Sequence, residues 1–188
     1  MNATVTTATL TTEELFALPD DGIERDIIRG ELREHPTTKR NRRHSRVMMS
    51  VGHVLRNWMT GKNIGGEVAG GETGVRLRRV PETTVGMDAA YFSAESIASM
   101  SENQVWYEGP PTLAVEILSP SDTHEDVVQK INLYLECGVL VVWILDPDFQ
   151  TLTVYRPNSV PLMLRTHETL DGHPELPGLS ASVQEFFN

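Results

Sequence analysis

Two short apolar segments separated by an amphipathic helix most constrain the fold of this 188-residue chain. Residues 113–118 and 139–145 have the length and the branched side chains of strands that are buried on both faces. Between them, Asp122 with Glu125 indicates a capped helix start, and Gly138 is typical of a helix end. This strand–helix–strand order predicts a right-handed crossover between two parallel neighbours in one sheet.

The remaining sequence predicts further strands and one long helix around this unit. Apolar residues recur at helical spacing from about residue 40 to residue 59, and Gly30 divides a predicted hairpin. Alternating apolar and polar residues near the C-terminus are typical of a meander at a sheet edge. We therefore expect one α/β domain over residues 1–188, with a mixed central sheet flanked by helices and a flexible segment at about residues 1–10. The other predicted strands cover residues 23–29, 32–35, 67–69, 74–78, 87–92, 151–156 and 162–166.

Composition narrows the class of protein. No apolar run approaches the ~20 residues that span a bilayer, and the first ten residues lack the pattern of a signal peptide. The single cysteine, Cys137, excludes an internal disulfide and a cysteine-built zinc site, which favours the cytoplasm. The net charge is −10, yet residues 39–46 hold five of the 16 basic side chains and no acid. This segment favours local contact with a polyanion, or it is a solvated helix start.

Two carboxylates in apolar surroundings are the candidate chemical groups. Glu116 lies inside the predicted strand 113–118, and Asp88 lies between short apolar runs. Burying a carboxylate is costly unless it is paired or binds a metal ion. On neighbouring strands, the two acids could share a hard cation such as Mg²⁺. Alternatively, each acid ends a strand and is hydrogen-bonded to nearby backbone or arginine.

Three further side chains are candidates to support this pair. Lys130, on the helix after the Glu116 strand, could reach back over the strand end, or it forms a surface ion pair with Asp126. His44 begins the apolar stripe of the long helix and is expected to face inward, where a core histidine is the alternative. Glu31 follows Gly30 and could add a carboxylate, or it is a solvated turn residue.

In these residues the chain resembles the Uma-type restriction endonuclease family of the PD-(D/E)xK nuclease superfamily. The most specific part is Glu116-x-x-Ser119-Pro120-Ser121, followed by a helix and a strand that contains Trp143. The resemblance extends over nearly the whole chain and implies a restriction-endonuclease-like core. The other matching residues are Asp21-Gly22, 25–32, His44, 71–74, 88–91, 111–122, Lys130, Tyr134, Gly138, Asp146-Pro147 and 154–156.

The resemblance also implies roles for individual residues. Asp88 matches the motif aspartate, although Met87 replaces the proline that usually precedes it, and Glu116 matches the motif glutamate. Leu118 stands where the superfamily has its lysine, and the family's use of the next helix points to Lys130 instead. With the carbonyl of Ile117, the two acids would bind Mg²⁺ or Mn²⁺, while His44 and Glu31 would support the site. The residues expected to contact nucleic-acid phosphates are Arg40, Arg42, Arg43 and Arg46.

The implied function is metal-dependent hydrolysis of nucleic-acid phosphodiester bonds, with DNA as the expected substrate. Cutting both strands of a duplex needs two sites, so we expect a homodimer. One alternative is a catalytically inactive nuclease-fold module for DNA binding or protein interaction, because the chain outside residues 39–46 carries a charge of −15. A small-molecule hydrolase that uses the same metal is a third possibility.

Overall fold

The centre of the molecule is a mixed sheet with a helix on each face. The computed structural model describes residues 10–36 and 41–188. The helices are α1 (Thr12–Phe16), α2 (Arg42–Lys62), α3 (Ala94–Ala98) and α4 (His124–Glu136), and a 3₁₀ helix covers Val183–Phe186. The strands are β1 (Ile23–Ile28), β2 (Glu31–Pro36), β3 (Glu67–Arg79), β4 (Glu82–Phe92), β5 (Tyr107–Glu108), β6 (Leu113–Ile117), β7 (Val141–Asp146), β8 (Thr151–Tyr155), β9 (Leu162–Arg165), β10 (Thr169–Asp171) and β11 (Ser180–Ser182).

Among the described residues, nine strands form the central sheet in the order β2-β1-β4-β6-β7-β8-β9, with β3 paired to β4 and to β5. β6 and β7 are parallel and pair from Leu113 with Val141 to Ile117 with Leu145. The predicted parallel strand–helix–strand unit is therefore confirmed, because α4 connects these two strands. β7, β8 and β9 are antiparallel neighbours, as the predicted meander requires. The fold is mixed α/β, as predicted.

Helices α2 and α4 cover opposite faces of the sheet. Buried α2 residues at helical spacing, Val47, Val51 and Leu55 among them, pack in one core cluster with Val115 of β6. Ile131 and Tyr134 of α4 pack in a second cluster. Burial of each such large apolar side chain contributes ~1.5–3 kcal/mol to stability. Because the side chains of β6 alternate between its two faces, β6 packs against a helix on each face. β6 is thereby enclosed at the centre of the fold.

The start of α4 differs by one residue from the prediction. Thr123 is the N-cap, and its reciprocal hydrogen bonds are with Asp126, not between Asp122 and Glu125. The carboxylate of Asp122 instead accepts hydrogen bonds from the backbone N–H and the hydroxyl of Ser119. Asp122 thus closes the loop between β6 and α4, and this is why it does not cap the helix.

The sequence prediction also divided a long hairpin into short strands. The predicted strands 67–69 and 74–78 are parts of the 13-residue β3, and β4 begins at Glu82, five residues before its predicted start. The gap predicted between these two strands is instead an irregular pairing, where the register of β3 against β4 shifts between Gly70 and Thr73. Gly71 has φ +83° there, a conformation that favours glycine. Short elements α3, β5, β10 and β11 were not predicted.

Candidate active site

Glu116 lies at the centre of the site, buried near the end of β6. Lys130 Nζ donates a hydrogen bond to Glu116 Oε2 at 2.6 Å, and the Tyr134 hydroxyl donates to Oε1 at 2.6 Å. Lys130 and Tyr134 are four residues apart on α4, a spacing that places both side chains on the same helix face. The packing of α4 on the sheet therefore directs one cation and one hydroxyl at a single carboxylate.

Asp88 lies on the neighbouring strand, beside the end of β6. Its Oδ2 accepts a hydrogen bond of 2.8 Å from the backbone N–H of Ile117. Ala89, the next residue, pairs with Val115, so Asp88 is held beside the Glu116–Ile117 peptide. The β3 irregularity between Gly70 and Thr73 lies opposite Asp88. Bulges of this kind re-aim side chains near functional sites.

His44 faces inward from the first turn of α2, as its position on the apolar stripe predicts. The ring is buried, and Nε2 lies 3.2 Å from Asp88 Oδ2 and 3.1 Å from Oδ1. The helix start is fixed by Asn41, whose side-chain oxygen accepts from the His44 backbone N–H. Helix α2 therefore contacts Asp88 from the face opposite to the one that carries Lys130.

A buried acceptor at Asp88 remains available for a ligand. Within the described part of the chain, Asp88 Oδ1 has no hydrogen-bond donor with adequate geometry, although His44 Nε2 is close. Glu116 accepts one bond at each oxygen, whereas an ionised carboxylate offers about four lone-pair positions. Both acids therefore retain capacity to bind a cation.

The described residues do not form a complete cage of protein ligands for a metal ion. No group of three or more His, Cys, Asp or Glu side chains within residues 10–36 and 41–188 converges on one point. Mg²⁺ does not need such a cage, because it commonly takes one or two carboxylates and keeps several waters. A space of about 20 Å³ beside Glu116, Ile117 and Lys130 is large enough for one water molecule. Two carboxylates, a backbone carbonyl and water fit a Mg²⁺ donor set.

Asp26 is a third carboxylate that the sequence prediction missed as a site residue. It lies on β1, and its Oδ1 accepts a hydrogen bond of 3.0 Å from the Gly86 N–H on β4. Burial raises the pKa of Asp26, while the charge of Lys130 acts to lower it. Its place in the predicted strand 23–29, directly before the apolar pair Ile27-Ile28, was the available signal. Tyr134 was similarly present in the motif but was not assigned to the site.

Burial and electrostatic interactions shift the pKa values of Glu116 and Lys130. Burial raises the pKa of Glu116, an effect that the ammonium of Lys130 partly offsets. The pKa of Lys130 is raised chiefly by Glu116, with smaller contributions from Asp26 and Asp88. Lys130 is consequently a fixed cation at neutral pH. The negative charges of Glu116, Asp26 and Asp88 all act on this one lysine.

Several residues predicted for the site lie away from this cluster or outside the residues that the structure describes. Glu31 is exposed at the start of β2, and its carboxylate lies 3.8 Å from Arg33. Within the described residues, no hydrogen bond or ion pair is observed between Glu31 and the site. No contact therefore supports the expected role of Glu31. Arg42, Arg43 and Arg46 are exposed near the start of α2, where Arg43 pairs with Asp148. Arg40 and the expected flexible segment, apart from Leu10, lie outside the described residues.

A cleft of about 910 Å³ opens beside the carboxylate cluster. Its walls come from α1, the β1–β2 hairpin, α4 and the loop before α4, and residues 84–86 of β4 form part of its lining. Asp26, Lys130 and Tyr134 line it as well, so the cleft reaches the site. No helix of the described chain is both long enough and apolar enough to cross a membrane.

Comparisons with known proteins agree with this architecture. The crystal structure of a putative nuclease belonging to DUF820 from Anabaena variabilis ATCC 29413 is similar, with a TM-score of 0.76 and 21% sequence identity. The similarity covers 95% of this chain and 97% of that chain, and at this identity it shows a shared fold. No curated protein matches the sequence. The family model Uma2, putative restriction endonuclease, matches residues 12–184. The chain therefore belongs to the Uma2 family, as the motif resemblance predicts.

Proposed function

We propose that this chain is a metal-dependent endonuclease that hydrolyses phosphodiester bonds of nucleic acid, with DNA as the substrate. The observation that carries the proposal is the junction of Asp88, Glu116 and Lys130 at one strand end. Lys130 bonds Glu116 directly, and Asp88 bonds the backbone of the next residue, Ile117. Family membership and a shared fold with a structure described as a nuclease support the same reaction class.

The donor set fits Mg²⁺ or Mn²⁺. Asp88, Glu116 and the carbonyl of Ile117 would hold the cation, and the buried Asp88 Oδ1 is the acceptor with most capacity left. When bound, such a cation polarises the scissile phosphate and makes a coordinated water more acidic. Exposed Asp122 and Asp126 near the 20 Å³ space keep its surroundings anionic.

Lys130 serves as a positioned cation for the phosphate. Its ammonium is anchored by Glu116, and its side chain is nearly half exposed towards the cleft. A cation held in place stabilises negative charge as it develops on a phosphate, an effect of the order of 10²–10³ in rate for a single donor. The hydroxyl of Tyr134 fixes the second oxygen of Glu116, and His44 fixes Asp88, so both acids keep their orientation.

Arginines around the site would hold the substrate backbone. Arg42, Arg43 and Arg46 lie on the helix turn that presents His44, and Arg40 precedes that helix in sequence. Contacts from such residues to phosphates give salt-dependent affinity without reading the base sequence.

We further propose a single-domain cytoplasmic enzyme, and a homodimer for cleavage of both strands, with the β9 edge as the pairing surface.

Cleavage of supercoiled DNA with Mg²⁺, with Mn²⁺ and with EDTA tests the proposal directly. We expect metal-dependent nicking by the wild type, and loss of nicking in Asp88→Ala and Lys130→Ala. The exposed Asp171→Ala protein is the matched control and should cut normally. If Lys130→Ala still cuts whereas Asp88→Ala does not, the metal site stands without the lysine. Absence of cleavage with every metal, while all variants bind DNA equally, would support the inactive binding module instead.

A further inference from the structure

We propose that the 910 Å³ cleft beside Lys130 binds an unpaired nucleobase adjacent to the scissile phosphate. The preferred substrate is then single-stranded nucleic acid, or a duplex with a base out of the stack. This inference rests on the proposed nuclease function and specifies its substrate class. Enzymes that do chemistry on a base extrude it into a pocket, and a base that is already unpaired costs least to place there.

The position of the cleft makes it continuous with the reacting groups. Lys130 and Tyr134, the two partners of Glu116, line the cleft, and so does Asp26. A phosphate held by Lys130 would therefore place an attached nucleoside at the cleft mouth. The volume lies within the ~300–1,000 Å³ range of small-molecule pockets, which accommodates a base and its sugar.

One wall of the cleft is apolar and open to solvent. Phe16, Leu18 and Ile23 line it and are 42%, 37% and 40% exposed, respectively. The Phe16 ring packs against Trp106, with ring centroids 5.2 Å apart. Because Phe16 is supported on one side and exposed on another, it offers a surface on which a base can stack.

The charge of the cleft favours a base over a phosphate backbone. Seven Asp or Glu residues and four Arg or Lys residues line its described surface. Each of the three arginines forms an ion pair with a carboxylate. Carboxylates repel phosphates, but they accept hydrogen bonds from the exocyclic amino groups of bases. The apolar wall and the acidic rim together match an unpaired base.

Fluorescence of 2-aminopurine reports directly on the environment of one base. Wild-type protein in EDTA is titrated into three probes of one sequence: a single strand, a full duplex, and a duplex in which 2-aminopurine is unpaired. We expect a fluorescence change and tighter binding for the two unpaired probes. Phe16→Ala should weaken their binding by about 5- to 150-fold, the range for loss of one base–aromatic stack.

Ile23→Ser is a second cleft variant, because Phe16→Ala also removes the contact with Trp106. Leu32→Ser is its matched control on the same hairpin, since Leu32 is 43% exposed and does not line the cleft. Weaker binding of unpaired probes by Ile23→Ser but not by Leu32→Ser supports the base site. Equal binding of paired and unpaired probes, or equal effects of the two serine variants, overturns it. Metal-dependent cutting of duplex and single strand at equal rates also overturns the base site while leaving the nuclease function intact.

Discussion

The Nζ atom of Lys130 lies 2.6 Å from Oε2 of Glu116, although Lys130 is on a helix and Glu116 is on the strand beneath it. Leu118, the position at which the motif resemblance implies a lysine, directly follows that strand and carries no amine. Helix α4 thus supplies the cation that the strand lacks. The same relationship dictates what substitutions at the site should do.

Replacement of Lys130 by methionine should lower metal-dependent cleavage by about 10²–10³-fold, because the fixed cation beside the phosphate is lost. Methionine retains an unbranched side chain that can pack along α4. Cleavage rates at saturating metal measure the effect. Lys62→Met, at the end of α2, is the control and should cut at the wild-type rate. Full activity of Lys130→Met would exclude Lys130 from the reaction.

Tyr134→Phe should lower the free energy of unfolding by about 1.5–3 kcal/mol, the usual contribution of a hydrogen bond to a charged group. The substitution removes only the hydroxyl that donates to Glu116 Oε1. Urea denaturation of the metal-free protein measures the change. Tyr155→Phe is the control, because Tyr155 is a half-buried tyrosine on β8. We expect this variant to change the free energy of unfolding by no more than about 0.5 kcal/mol. Equal stability of the two variants would show that the Tyr134 bond contributes little.

Asp26→Asn should make metal-free protein more stable, and the gain should grow as the pH rises. Burial raises the folded-state pKa of Asp26 above 3.8, so the unfolded chain loses this proton first. In the wild type, the contribution of protonated Asp26 to the free energy of unfolding is fully present below pH 3.8. This contribution is lost as the pH rises through the folded-state pKa of Asp26. Asparagine keeps the oxygen that accepts from Gly86 and does not ionise.

Urea titrations at acidic, mildly acidic and neutral pH test this Asp26 prediction. Asp20→Asn, which replaces an exposed carboxylate, is the matched control. A stability difference between Asp26→Asn and the wild type that shrinks as the pH rises would contradict the raised pKa.

Divalent cations should raise the melting temperature of the wild type but not that of Asp88→Asn. Asparagine can still accept from the Ile117 N–H, so the fold is kept while a metal-binding charge is removed. At a metal concentration of about 100 Kd, binding stabilises the folded state by ~2.7 kcal/mol. Differential scanning fluorimetry with Mg²⁺ and Mn²⁺ measures the shift. Equal shifts in both proteins would place the bound metal elsewhere.

Arg46→Ala should reduce the salt dependence of DNA binding. If Arg46 contacts one phosphate, the slope of log K against log salt concentration becomes smaller by about one. Fluorescence anisotropy over a range of salt concentrations gives this slope. Arg56→Ala, ten residues further along α2, is the control for the loss of one exposed arginine. Identical slopes for the two variants would remove the basic start of α2 from the DNA interface.

The sequence by itself determined the core of this fold. Two apolar strands around an amphipathic helix have one favourable arrangement, because both strand faces must be covered and the connection is short. The same local patterns predicted His44 on the inner face of α2, and Asp88 and Glu116 as acids in apolar surroundings. Periodicity and burial are properties of neighbouring residues, so a single sequence contains them.

The tertiary structure decided which side chains meet at the site. Asp26 lines the same cleft as Lys130 because β1 pairs beside β4, whereas Glu31 lies exposed at the start of β2. The strands 67–69 and 74–78 were predicted as separate, yet they are one strand with an irregular pairing opposite Asp88. Pairing register and helix packing join residues that are distant in sequence. These long-range contacts depend on the whole sheet, and local sequence patterns do not specify them.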